Sequence, residues 1–158
     1  MKTKFLKGIF LLCCISLLLS TCSSDDDDGT PNNSAEIAQI RDQVIDGTWR
    51  VTNFVDSGQN ETSDFNGYSF TFNSNGNLSA SNGTTTETGN WSITNSSSSS
   101  SSSSDDIDFN INFNVPDTND FEDLNDDWDV VSHTDTKIVL IDISGGNGGT
   151  DNLTFEKN

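Results

Sequence analysis

The chain has 158 residues, 25 of them acidic and 7 basic, for a formal net charge of −18 at pH 7. That length holds one ordinary domain, and the charge excludes a nucleic-acid binder, which needs a basic patch to meet phosphates. Apolar residues make up only 31%, so the chain can fold only if those few are patterned onto shared faces.

Residues 1–21 read as an export signal. Lys2, Lys4 and Lys7 make a positive start, and Ile9 to Leu19 is apolar except for Ser16. The run is too short to span about 30 Å of hydrocarbon as a helix. Leu19-Ser20-Thr21-Cys22 resembles a bacterial lipobox, in which the chain is cut before a Cys that becomes diacylated. Cys13 and Cys14 fall inside the signal, so Cys22 is the single Cys left after cleavage. An internal disulfide and a Cys-based zinc site are thereby excluded. Cys22 is the expected lipidation site, and the membrane is the expected partner through that lipid. Cleavage removes three Lys and no acid, taking the net charge from −18 to −21.

Cys22-Ser23-Ser24-Asp25-Asp26-Asp27-Asp28 also resembles the acidic signal that sends lipoproteins of Bacteroidetes-type bacteria to the outer-membrane surface. The resemblance implies a lipid-anchored, surface-exposed protein of the outer membrane. Apart from it, adjacent like charges keep a chain extended, and residues 22–33 read as an acidic flexible tether.

Ser34 is placed as a helix N-cap with Glu36 in the first turn. Ile37, Ile40 and Val44 form one apolar stripe on a short helix, and Gly47 stops it. The period then changes to two. Trp49, Val51 and Val55 share a phase that leaves Phe54 out. Tyr68, Phe70 and Phe72 follow, then Leu78 and Ala80, with turns at Asn75-Gly76 and Asn82-Gly83. Trp91 and Ile93 make a fourth strand. Ile107, Phe109, Ile111, Phe113 and Val115 alternate most cleanly and end at Pro116. Trp128 and Val130 begin a sixth strand, Ile138 to Ile143 a seventh, and Leu153 and Phe155 an eighth. Gly145 to Gly149 reads as a hairpin turn.

Regular short strands with hairpin links predict an all-β fold. It is an eight-stranded antiparallel up-and-down barrel with a short N-terminal helix, over residues 34–158, and closure leaves it no exposed edge. The Ser-rich segment 95–106 cannot pack and is predicted to be a disordered loop. The predicted inward set is Trp49, Val51, Phe70, Phe72, Leu78, Trp91, Ile107, Phe109, Ile111, Phe113, Val130, Leu140, Leu153 and Phe155.

Gly47-Thr48-Trp49, opening the first strand after a helix, resembles the Gly-x-Trp signature of the lipocalins. Phe65-Asn66-Gly67-Tyr68-Ser69-Phe70-Thr71-Phe72, Gly89-Asn90-Trp91, Phe121 to Trp128 and Leu153-Thr154-Phe155-Glu156-Lys157 resemble the small lipocalin-like domains of bacterial surface lipoproteins. The resemblance spans about residues 35–158. It implies an eight-stranded barrel plugged at one end by the Trp, with a ligand held in the other.

Little points to catalysis. His133 is the single histidine, which excludes a multi-His metal site, and no Gly-x-Ser-x-Gly elbow is present. Ser132-His133-Thr134-Asp135 reads as a solvated strand end. The acidic stretch from Asp117 to Asp129 includes Asp123-x-Asn125-x-Asp127, the opening of a calcium loop. Trp128 and Thr134 then stand where the turn Gly and the bidentate Glu belong, so the stretch reads as a solvated loop. No catalytic residue, metal site or cofactor is expected, and the chain is expected to be a monomer and not an enzyme. Two functions stay open. One is a lipid-anchored envelope module binding a small apolar or amphipathic ligand in the barrel. The other is a non-enzymatic envelope interaction or accessory scaffold with a solid barrel core.

Overall fold

The computed structural model describes residues 33–95, 107–143 and 149–158. The predicted export signal, Cys22, the predicted tether up to residue 32, the Ser run and most of the predicted glycine turn lie outside the described residues. No helix among the described residues is long and apolar enough to cross a membrane.

Helix α1 spans Ser34–Ile45. Asn33, one residue before the predicted cap, holds the capping position, and its carbonyl accepts from the Ile37 N–H at 2.8 Å. The Asn33 amide also donates to Asn95 Oδ1 at 2.8 Å, pinning the start of the helix to a strand end. Asp46 is extended and Gly47 has φ +90°, which turns the chain out of the helix. The stripe packs inward as patterned: Ile40 and Val44 are fully buried and Ile37 is partly so.

Nine strands follow: β1 (Trp49–Asp56), β2 (Gln59–Asn60), β3 (Ser69–Phe72), β4 (Asn77–Ser81), β5 (Thr86–Asn95), β6 (Ile107–Phe113), β7 (Asp126–His133), β8 (Lys137–Asp142) and β9 (Asp151–Lys157). From β3 to β9 each strand pairs antiparallel with the next. β9 then pairs back onto β1, from Trp49↔Lys157 to Val55↔Asn152, and closes an eight-stranded barrel. β2 is a two-residue addition to the far half of β1. The seam between β1 and β3 is thin, a single pair at Trp49↔Phe70. Beside it a 3-10 turn at Thr62–Phe65 satisfies the exposed backbone. The Phe54 N–H donates to Thr62 Oγ1 at 2.8 Å, and the Phe54 carbonyl accepts from the Glu61 N–H at 3.0 Å.

Two register shifts interrupt the alternation, and the first corrects a predicted phase. In β1 the shift lies between Val51 and Asn53, where one extra residue flips the alternation. Phe54 therefore points inward, fully buried, and Val55 is only half-buried. In β7 the shift lies between Val130 and Ser132. Val131 is the extra residue and is exposed, while Val130 faces the core opposite Leu140, as alternation places it, and is half-buried. The other thirteen predicted inward residues are buried. Trp128 and Ile138 join them, as do Phe65, Phe121 and Leu124 from the connecting segments.

Trp49 links both halves of this architecture. Its indole Nε1 donates to the Val44 carbonyl at 2.9 Å, and the Lys157 ammonium sits 5.3 Å from the ring centroid. Removing a buried Trp costs about 3–5 kcal/mol, against a total of about 5–15 kcal/mol for a small domain. Trp49→Ala is therefore expected to lose at least about a fifth of the folding free energy. A urea titration followed by far-ultraviolet dichroism checks this, and a midpoint equal to wild type contradicts it.

Candidate functional site

The barrel interior is the first place to look, because a ligand would have to sit there. It is filled by aromatic rings. Phe72 contacts Trp91, Phe109 and Phe155 at centroid distances of 5.4, 5.5 and 5.6 Å, all edge-to-face. Phe70 meets Phe155 at 5.2 Å, and Phe121 meets Phe65 and Phe113 at 5.3 and 4.9 Å. These are the spacings and tilts that aromatic pairs prefer.

Both ends are closed. At one end α1 lies across the opening with Ile40 and Val44 inward. At the other, Phe65, Phe121 and Leu124 cover the core, and Trp128 Nε1 donates to the Leu124 carbonyl at 3.1 Å. No buried side-chain nitrogen or oxygen among the described residues lacks a partner, so no unsatisfied polar group there awaits a ligand. Cavities lined by described residues open on the outside. A groove of about 630 Å³ runs along α1, lined by Ala35, Ala38, Asp42, Asp46, Asp135 and Lys157 among others. A recess of about 220 Å³ lies at the far end, beside Asp64, Tyr68, Asp120 and Phe121.

The far end is acidic. Partial burial pushes the Glu61 and Asp123 carboxyls above their ordinary values, and the neighbouring charges of Asp56, Asp64 and Asp120 add to the push. Asp126 is raised to about 6, first by burial, then by a side-chain hydrogen bond with Asp127 and the charge of Asp142. The Asp127 N–H donates to Asp126 Oδ1 at 2.8 Å and works the other way.

The calcium-like opening is taken apart by the fold. Asn125 Oδ1 accepts from the Phe113 N–H and its Nδ2 donates to the Phe113 carbonyl at 3.1 Å. That side chain thus extends the β6 ladder, while Asp123 and Asp127 are exposed. Among the described residues no three carboxylates, histidines or cysteines gather as metal ligands would.

His133 departs from the solvated position expected for it. Its side chain is 13% exposed and lies against α1. Nδ1 is 2.7 Å from Gln43 Oε1 and Nε2 is 3.4 Å from Glu36 Oε1. The β7 bulge is the cause. Without it, the alternation that turns Trp128 inward would turn His133 outward; with it, His133 pairs with fully buried Ile138.

The raised carboxyls give the protein a pH dependence whose sign is fixed. A carboxyl with a higher pKa folded than unfolded binds its proton more tightly in the folded state. Stability is therefore expected to rise as pH falls from about 7 toward the ordinary Asp value near 4. Asp126→Asn is expected to raise the melting temperature at neutral pH and to flatten this slope. Thermal melts at several pH values test both; a wild-type melting temperature that falls steadily below pH 7 contradicts the assignment.

No protein-family model matches the sequence, and no curated protein matches it. Among solved structures, the chain is similar to a DUF4847 family protein from Bacteroides vulgatus ATCC 8482, determined at 1.00 Å. The two are 17% identical, the match covers 75% of this chain and 97% of that one, and the TM-score is 0.49.

Proposed function

We propose that the chain is a lipid-anchored module of the bacterial outer membrane that acts through its outer surface, as an interaction or accessory scaffold with a solid barrel core. The observation that carries this is the aromatic packing between two closed ends. Phe70, Phe72, Phe109, Phe113 and Phe155 fill the volume that a ligand-carrying barrel leaves empty. An eight-stranded barrel is just wide enough for its own side chains to meet across it. Of the two functions the sequence leaves open, the packing favours the scaffold.

Cys22 supplies the anchor in this reading, and the acidic residues Asp25 to Asp28 stand between the lipid and the barrel. The resemblance of residues 19–28 to lipoprotein signals supports surface display. The strong negative charge keeps the module soluble and apart from acidic lipid headgroups.

Two measurements test the proposal. Titration with an apolar fluorescent probe is expected to give no saturable signal; stoichiometric binding that an inward-facing change such as Phe109→Trp abolishes restores the ligand function. Cys22→Ala is expected to move the protein from the membrane fraction to the soluble one in its bacterial host. Retention in the membrane fraction removes the anchor.

A further inference from the structure

We propose that His133 is a proton-operated latch that fastens α1 to the barrel. The chemistry follows from which atoms face the ring. Gln43 Nε2 donates to Asp135 Oδ1 at 3.0 Å, which fixes the orientation of the amide. Its oxygen therefore faces His133 Nδ1, at 2.7 Å. An amide oxygen only accepts, so Nδ1 must carry a hydrogen. A neutral imidazole has one N–H, which leaves Nε2 as a bare acceptor. That acceptor faces a second one, Glu36 Oε1, at 3.4 Å. In the neutral state the ring makes one bond to α1 and one contact without a hydrogen between its partners.

A proton taken from solvent at Nε2 changes this without moving an atom. The Nδ1 bond stays, and the Glu36 contact becomes a charge-assisted hydrogen bond. Among the described residues, α1 presents Glu36 and the β7–β8 turn presents Asp135 behind Gln43. Lys137, at the start of β8, is turned to Glu156 at 3.5 Å. The ring itself is largely buried, whereas Glu36 is 56% exposed. The gain is therefore that of a partly solvated ion pair.

The element so fastened covers one barrel end and leads back in sequence to the tether. When α1 lifts, Ile40, Val44 and Trp49 lose their cover. The latch holds with two bonds in acid and with one at higher pH.

Nuclear magnetic resonance of the single histidine and amide hydrogen exchange of α1 test the latch. The neutral ring is expected to be the Nδ1–H tautomer. Corrected for the intrinsic pH dependence of exchange, protection of Ile37 to Ile45 is expected to rise on going from about pH 7.5 to 5.5. The rise in wild type is expected to exceed that in Glu36→Gln by about 1.5- to 5-fold, the range of an exposed ion pair. Glu36→Gln removes a charge from an exposed site and keeps the packing, and His133→Gln serves as a second variant that cannot titrate. An Nε2–H tautomer overturns the proposal, as does a pH response of α1 that is the same in wild type and Glu36→Gln.

Discussion

Everything in this structure depends on β9 pairing with β1. The chain carries few apolar side chains, and an open sheet built from them would leave one face and two edges to water. Returning Leu153 and Phe155 to lie beside Phe54 and Val51 turns the sheet into a tube, so each inward residue meets others across the interior. A composition typical of disordered chains is thereby enough for a core, because almost every large side chain is spent on it. Ten phenylalanines and three tryptophans are present; eight of the former and all of the latter are buried.

The ends of the tube are treated differently. One is covered by α1, held by apolar contacts and by polar ties to strand and turn: Trp49 to Val44, Arg41 to the Ser74 carbonyl at 2.6 Å, and Asn33 to Asn95. The other is covered by side chains from connecting segments, and its rim gathers carboxylates that raise one another's proton affinity. The molecule is electrically uneven as a result. At the helix Arg41 and Lys157 offset part of the charge of Glu36, Asp42 and Asp46, whereas Asp56, Glu61, Asp64, Asp120 and Asp123 crowd the opposite rim.

Much of this was legible beforehand because a half-buried strand writes itself as alternation. Ile107 to Phe113, with four inward residues in phase, could hardly be anything else, and Asn75-Gly76 and Asn82-Gly83 mark their hairpins by the φ of +86° and +85° that the glycines adopt. Two kinds of information were hidden. A bulge adds one residue with no compositional mark, so alternation puts Phe54 on the wrong side of β1. Phe65 and Phe121 stand in segments of Asn, Asp and Glu with no period, and burial there reflects tertiary geometry alone. The contact of His133 with α1 was invisible for the first reason: one extra residue in β7 decides which way it faces. The filling of the barrel was invisible for the second, since an inward pattern counts side chains without measuring the space between them.

The thin seam between β1 and β3 carries a consequence for how the molecule comes into being. β1 has only Trp49↔Phe70 to hold it to its neighbour in the forward direction, and its main partner, β9, lies about a hundred residues further on. Contacts of such long sequence separation form slowly, because the loop they close must first lose its freedom. The hairpins from β3 to β8 can assemble locally, but the tube stays split beside β1 until residues 151–157 arrive. A chain built this way remains unlocked while it is being synthesised, and it closes only once β9 is free to pair.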